Sequence, residues 1–158
     1  MKIKIVFGAP CSGKTRYVRN HIGESDMVYD YDALLFALTG RTEHVTKKHA
    51  AHIPIVQLRR VLVDLAQAER QIQTFWMICS WPNYYTLNSI SGLQHEKIYI
   101  AATKEQCLDH LANDQSRPDK EAWKAVIDDW YLQYGKYPER WKAEDGVQIV
   151  QSGLQSSL

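Results

Sequence analysis

The sequence predicts a three-layer α/β domain in which helices cover both faces of a five-stranded parallel β-sheet. Three observations predict it. Strand-like and helix-like segments alternate five times, the first strand-like segment is rich in Ile and Val, and 158 residues suffice for one such domain. The crossovers between parallel strands are expected to be right-handed. No internal repeat, low-complexity segment or second domain is recognisable.

The predicted strands end at recognisable turn residues. The first alternates along its length, the second is short and ends beside Asp30, and the third is an apolar run that Trp81-Pro82-Asn83 terminates. The five predicted strands are, in order, Lys2–Phe7, Met27–Tyr29, Thr74–Ser80, Lys97–Ala102 and Val147–Val150.

Capping residues and periodicity predict the helices. Asp32 is expected to cap the second helix, Pro54 suits the first turn of the third, and Thr103 is expected to cap the fourth. The predicted helices are Lys14–His21, Ala33–Leu38, Pro54 to about Gln71, Lys104 to about Ala112, and Lys120–Tyr134. Their expected core positions include Ile55, Leu58, Leu62 and Leu65 in the third helix and Trp123, Val126, Ile127, Trp130 and Leu132 in the fifth. Residues 84–91 fit neither pattern.

The composition is that of an ordinary globular domain. Hydrophobic residues are 45% and charged residues 23% of the chain, which excludes an intrinsically disordered protein. No apolar stretch is long enough for a membrane span, so no membrane partner is expected. The three cysteines lack metal-ligand spacing and the N-terminus does not resemble a secretory signal, which favours a cytoplasmic setting.

Positive charge is concentrated in two segments. Residues 1–20 carry five Lys or Arg and no acid, and residues 41–60 carry five against Glu43, although the net charge is only +1. This pattern suggests an anionic ligand, but two solvated faces explain it equally well. A third reading is a nucleic-acid-binding module formed by residues 41–60. The segment 41–52 is predicted to be a mobile connection whose histidines are solvated rather than metal ligands: His44, His49 and His52.

The strongest motif is Gly8-Ala9-Pro10-Cys11-Ser12-Gly13-Lys14-Thr15, which fits the phosphate-binding loop (Walker A) pattern G-x-x-x-x-G-K-[ST]. It lies between a predicted strand and a predicted helix, as this loop requires. Glycines allow backbone N–H groups to point at phosphate oxygens, and the helix directs its positive end there. Lys14 is expected to reach the β- and γ-phosphates, and the Thr15 hydroxyl to bind Mg²⁺.

Two carboxylates follow the second strand. In an open parallel sheet ligands bind where strands end, so Asp30 is expected near the loop as a direct or water-mediated Mg²⁺ ligand. Asp32 would accept a proton from, or hydrogen-bond, a substrate hydroxyl. The alternative is that Asp32 only caps the second helix and that Asp30 is a surface loop residue. Because the third strand ends without a carboxylate, Mg²⁺ is held either with Asp30 or by Thr15, phosphates and water alone.

Arginines supply further candidates. Arg117 lies in the predicted loop between the last two helices, where it would close over phosphates and stabilise transition-state charge; a solvated arginine is the alternative. Arg59 and Arg60 are adjacent on a helix and point in different directions, so at most one is expected to face an acceptor phosphate.

These features together resemble small P-loop kinases. The glycine loop, Asp30-x-Asp32 and the arginine-bearing segment are similar to those of adenylate kinase, shikimate kinase, gluconate kinase and the kinase domain of phage polynucleotide kinase. The segments 102–108 and 126–134 are most similar to small phage-encoded ATP-binding proteins of this class. The resemblance implies sheet order 2-3-1-4-5, a single domain over 1–150 with a lid near 113–120, and a tail over 151–158.

The resemblance also implies an activity. With ATP and Mg²⁺ as cofactors, the γ-phosphoryl group would pass to a hydroxyl or phosphate of a nucleotide, nucleic-acid end or small metabolite. Asp30 would assist Mg²⁺, Asp32 would contact the acceptor, and Arg117 would be the lid arginine. Relatives often carry an arginine where this chain has His110, and polynucleotide kinases carry one where it has Ala33-Leu34-Leu35. The alternative is an ATP-binding or ATPase module that regulates or loads a partner in phage DNA metabolism. The sequence leaves the acceptor and the oligomeric state open.

Overall fold

Five parallel strands form one sheet in the order β2-β3-β1-β4-β5. A computed structural model describes residues 1–135 and 146–153. The strands are β1 (Lys2–Phe7), β2 (Met27–Asp30), β3 (Thr74–Cys79), β4 (His95–Ala101) and β5 (Val147–Gln151). The predicted fold class and strand order are therefore confirmed.

Six helices occupy the described connections. They are α1 (Lys14–His21), α2 (Tyr31–Thr39), α3 (His52–Ala68), α4 (Tyr84–Asn88), α5 (Lys104–Asn113) and α6 (Lys120–Tyr134). The predicted bounds of α1 and α6 are confirmed, and Thr103 caps α5 in a capping box with Gln106. The ambiguous segment 84–91 contains the short helix α4. Within the described residues, no helix has both the length and the apolarity that crossing a bilayer requires.

Alternating side chains of β1 divide the core between the two faces of the sheet. Ile3 and Ile5 pack in the cluster that α2 and α3 cover, whereas Val6 packs with Val18 of α1 on the opposite face. Phe7 joins a third cluster beneath α5 and α6. This packing holds the central strand from both sides, so the loop that leaves its carboxyl end starts from a rigid base.

The buried face of α3 differs from the prediction. The helical period is as expected, but Leu65 is 60% exposed, and the residues facing the sheet are Ile55, Arg59, Val63 and Ala66. Arg59 is buried on this face, where its Nη1 donates to the Thr86 hydroxyl at 3.0 Å. In α6 the buried residues are Trp123, Ile127 and Trp130, and the expected core position Leu132 is exposed.

The cap of α2 also corrects the prediction. Asp30, not Asp32, is the N-cap: its Oδ1 accepts a hydrogen bond from the backbone N–H of Asp32 at 3.0 Å. Asp32 therefore belongs to the first turn of the helix. Its side chain is left available for other contacts.

Candidate active site

The loop between β1 and α1 lies at the centre of the sheet edge where the parallel strands end. Gly8 has φ +153°, and a Cβ there would lie 2.7 Å from the carbonyl oxygen of Ile100, so the neighbouring strand leaves no room for a side chain. Cys11 has φ +63°, a left-handed conformation that costs a non-glycine residue about 1–2 kcal/mol. Backbone strain of this kind is concentrated at ligand-binding sites.

The N-terminus of α1 faces this loop without a cap. Its N-cap is Gly13, no side chain accepts a hydrogen bond from its first turn, and that turn carries no acid. The first backbone N–H groups of a helix have no partner within the helix. Together with the helix dipole, they form a site suited to an anion.

Lys14 lies across the loop. Its ammonium Nζ donates to the carbonyl oxygens of Gly8 at 3.0 Å and Ala9 at 2.6 Å. An ammonium group has three donors, so these two bonds leave one for a ligand. Burial lowers the pKa of Lys14, and the nearby charge of Arg117 acts in the same direction. Both effects destabilise the charged ammonium group, so an anionic ligand beside it would stabilise it.

Thr15 and Asp30 bring two oxygens together at the ends of β1 and β2. The Thr15 hydroxyl donates to Asp30 Oδ2 at 3.4 Å. Burial raises the pKa of Asp30, and the neighbouring Asp32 carboxylate adds to this shift. Hard oxygen donors suit Mg²⁺, whose adjacent ligands lie about 3 Å apart in an octahedron, so the pair fits two ligands of one ion after a small adjustment.

Asp32 and His44 form a second pair beside the first. The Asp32 side chain is 41% exposed, and its Oδ2 lies 3.1 Å from Nδ1 of His44, whose side chain is only 14% exposed. The expectation that the three histidines are solvated is therefore wrong for His44. His52 also has a partner, since its Nδ1 lies 3.1 Å from the Tyr31 hydroxyl, and His49 accepts a hydrogen bond from the N–H of Ala51.

Arg117 is held close to the phosphate loop. The Arg117 side chain is 15% exposed and pairs with Asp114, and its guanidinium lies 4.9 Å from the centre of the Trp123 ring. Burial raises the pKa of the Cys11 thiol in the loop, and the charge of Arg117 opposes that shift. The buried Nε–H of Arg117 has no hydrogen-bond partner among the described residues. Lys120 donates to the carbonyl oxygens of Leu111 and Asp114 and so holds the same segment.

The two adjacent arginines of α3 have different environments. Arg59 is 9% exposed, lies 4.8 Å from the Tyr29 ring centre, and makes no ion pair with an acid among the described residues. Its charge lowers the pKa of the Cys79 thiol at the end of β3, although burial raises that pKa to about 12. Arg60 is exposed and pairs with Asp64. Only Arg59 therefore faces the strand ends.

Several contacts at the site had no signal in the sequence motifs. His110 Nδ1 lies 2.8 Å from the Cys11 carbonyl oxygen, and the Ser152 hydroxyl donates to the Ser12 carbonyl at 3.0 Å. The fully buried Ser12 hydroxyl has no hydrogen-bond partner within the described residues. These residues come from distant parts of the chain, so only the folded sheet brings them to the loop.

No family model and no curated protein sequence matches the chain significantly, but solved structures of kinases share its fold. Shikimate kinase from Acinetobacter baumannii, in complex with shikimate, superposes with a TM-score of 0.61 and 13% identity, covering 99% of this chain and 86% of that one.

Two further solved structures are similar. Shikimate kinase from Bacteroides thetaiotaomicron has a TM-score of 0.52 and 15% identity over 96% of this chain and 86% of its own. A gluconokinase from Sinorhizobium meliloti 1021 has a TM-score of 0.54 and 13% identity over 98% and 84%, respectively. At sequence identities this low, the similarity to these structures shows the fold alone.

Proposed function

We propose that this chain is a phosphotransferase that moves the γ-phosphoryl group of ATP to an acceptor. The carrying observation is that one sheet edge holds the uncapped α1 N-terminus with Lys14, the Thr15–Asp30 pair and the Asp32 carboxylate. The solved structures of similar fold are shikimate kinases and a gluconokinase, which supports the same reaction class here.

The phosphate chain of ATP is bound by residues 8–15. Free amides at the start of α1 hydrogen-bond the phosphate oxygens, and the third N–H of Lys14 contributes a positive charge. The buried Nε–H of Arg117, which has no acceptor among the described residues, is a donor available to the transferring phosphoryl group.

Thr15 and Asp30 are the residues that would hold Mg²⁺. Their oxygens are 3.4 Å apart, and the ionised Asp30 carboxylate supplies the negative charge that the cation requires. The ion supplies electrostatic stabilisation of the phosphate oxygens when it is bound. Asp30 additionally begins α2 and so places Asp32 two residues further on.

Asp32 acts on the acceptor. For a hydroxyl acceptor, a bond forms between the acceptor oxygen and the γ-phosphorus while the bond from that phosphorus to the β,γ-bridging oxygen breaks. ADP leaves with that electron pair, and the hydroxyl proton passes to the Asp32 carboxylate. Arg59, a buried guanidinium without a carboxylate partner among the described residues, binds an anionic group of the acceptor. Arg60, paired at the surface, does not take this role.

The test is transfer of label from [γ-³²P]ATP to an acceptor panel of shikimate, D-gluconate, nucleosides, nucleotides and 5′-hydroxyl DNA. Label in one acceptor supports the proposal. Release of free phosphate alone would favour the alternative, an ATPase module that regulates or loads a partner.

Lys14→Ala tests the role of the phosphate-binding loop. It is expected to abolish tight ATP binding and transfer while the thermal unfolding midpoint stays close to that of the wild type. Lys124→Ala, on the exposed side of α6, serves as the control and is expected to behave like the wild type. Unchanged ATP affinity in Lys14→Ala, measured by isothermal titration calorimetry, would contradict the assignment of the loop.

A further inference from the structure

His44 is held in place on several sides although it lies in a polar connection. Its ring contacts Phe36 of α2 edge-on at a centroid distance of 4.9 Å and Trp123 of α6 at 6.1 Å. Its backbone N–H donates to the carbonyl oxygen of Ser116 at 2.8 Å. These contacts come from three separate parts of the chain, so the position of the imidazole is determined by tertiary packing.

The imidazole is aimed at Asp32. Nδ1 lies 3.1 Å from Oδ2, yet this buried nitrogen makes no hydrogen bond of good geometry within the described residues. A small side-chain rotation would complete the bond. Among the described residues, His44 is the one group paired with the Asp32 carboxylate, and the hydrogen bond from Asp32 to Asp30 uses the backbone N–H of Asp32.

We propose that His44 is a positioning residue for Asp32: its Nδ1–H holds Oδ2, so that Oδ1 is directed at the acceptor. This inference rests on the proposed function, since it gives Asp32 the role of proton acceptor. An exposed carboxylate in the first turn of a helix otherwise samples several rotamers. Displacement of a reacting group by about 1 Å can lower a rate by about 100-fold.

The same residue connects the acceptor side with the segment that carries Arg117. Ser116, whose carbonyl accepts from His44, is adjacent to Arg117, and the rings of His44 and Trp123 are in contact while Arg117 packs on Trp123. Asp32 and Arg117, to which the proposed function assigns the acceptor and the transferring phosphoryl group, are thereby linked through two aromatic rings. A change at His44 is therefore expected to affect the transfer step more than nucleotide binding.

Two substitutions separate hydrogen bonding from packing. His44→Asn retains a side-chain N–H at the same number of bonds from Cα as Nδ1, whereas His44→Phe retains a ring against Phe36 and Trp123 but has no donor. The assay is [γ-³²P]ATP transfer to the panel acceptor that the wild type labels, with kcat and KM determined separately for ATP and acceptor. His95→Phe, at the opposite end of the sheet where β4 begins, is the control.

We expect His44→Phe to lower kcat about 10- to 100-fold with an unchanged KM for ATP, and His44→Asn to restore most of the rate. A His44→Phe enzyme with wild-type kcat would overturn the proposal, as would equal losses in both variants when circular dichroism shows both folded. The pair is also measured directly: Asp32→Asn should shift the ring ¹⁵N resonances of His44, and an unchanged spectrum would refute the contact.

These outcomes are distinguishable from failure of the proposed function. If the wild-type chain labels no acceptor, the phosphotransferase assignment fails and the role of His44 fails with it. If the wild type transfers phosphate and His44→Phe transfers it equally well, only the role of His44 is refuted.

Discussion

Replacing Asp30 separates two contributions of one carboxylate. As the N-cap of α2, its Oδ1 accepts the backbone N–H of Asp32, and its Oδ2 lies 3.4 Å from the Thr15 hydroxyl. Asparagine caps helices as well as aspartate does, whereas alanine does not. Asp30→Asn therefore removes the charge and keeps the cap, and Asp30→Ala removes both.

The expected magnitudes follow from the structure. Loss of the cap lowers the free energy of unfolding by about 1 kcal/mol, so Asp30→Ala should melt about 2–4 °C below Asp30→Asn. Burial raises the pKa of Asp30, and Asp32 adds to the shift. A carboxyl with a higher pKa in the folded than in the unfolded chain binds its proton more tightly when folded, so its ionised form destabilises the fold at pH 7.

Asp30→Asn is accordingly expected to be more stable than the wild type at pH 7. This gain should shrink as the pH falls, and should vanish below about pH 4, the ordinary pKa range of an aspartate, where the wild-type carboxyl is also neutral. Urea unfolding at several pH values, with wild type and both variants at each, measures these differences. Both variants should lose Mg²⁺-dependent ATP transfer.

Two results would refute this reasoning about Asp30. If Asp30→Ala and Asp30→Asn unfold at the same urea concentration, the cap contributes nothing. If Asp30→Asn is less stable than the wild type at pH 7, the buried charge is not the cost that its raised pKa indicates.

Two further predictions concern single positions. Gly8→Ala places a methyl group 2.7 Å from the Ile100 carbonyl oxygen. It should lower the free energy of unfolding, measured in urea, by about 1–3 kcal/mol and should abolish ATP binding. In the control Gly153→Ala the new methyl group meets nothing within 4 Å, so the free energy of unfolding should change by less than about 0.5 kcal/mol. Arg59→Met should lower kcat/KM for the acceptor at least about tenfold, because it removes a charge-assisted contact. The control Arg60→Met loses only a surface ion pair worth less than about 1 kcal/mol. Equal kinetics in the two variants would exclude Arg59 from the acceptor site.

Features with local causes were predictable from the chain. The phosphate loop is recognisable because its glycines are required by backbone conformation and close approach, as Gly8 illustrates. The start of α5 at Thr103 is recognisable because a capping box uses residues three apart. The roles of Lys14, Thr15 and Asp30 toward ligands remain predictions, for which the geometry now supplies specific tests.

Features that depend on how elements rotate against one another were not predictable. Periodicity correctly indicated that α3 has one apolar face but wrongly assigned Leu65 to it. The pattern within α3 contains no information on Thr86 and Tyr29, which belong to other elements and contact Arg59 on the buried face. For the same reason the sequence left open which of two adjacent arginines faces inward.

The sequence alone determined the alternation of strands and helices, the phosphate loop and the acidic pair after the second strand, since steric limits and hydrogen bonding act over a few neighbouring residues. Only the tertiary structure decided that His44 meets Asp32 and that Arg117 packs on Trp123 beside the loop. These contacts depend on how separate elements pack together. A side chain that is buried between several elements does not produce a regular hydrophobic pattern within any one of them.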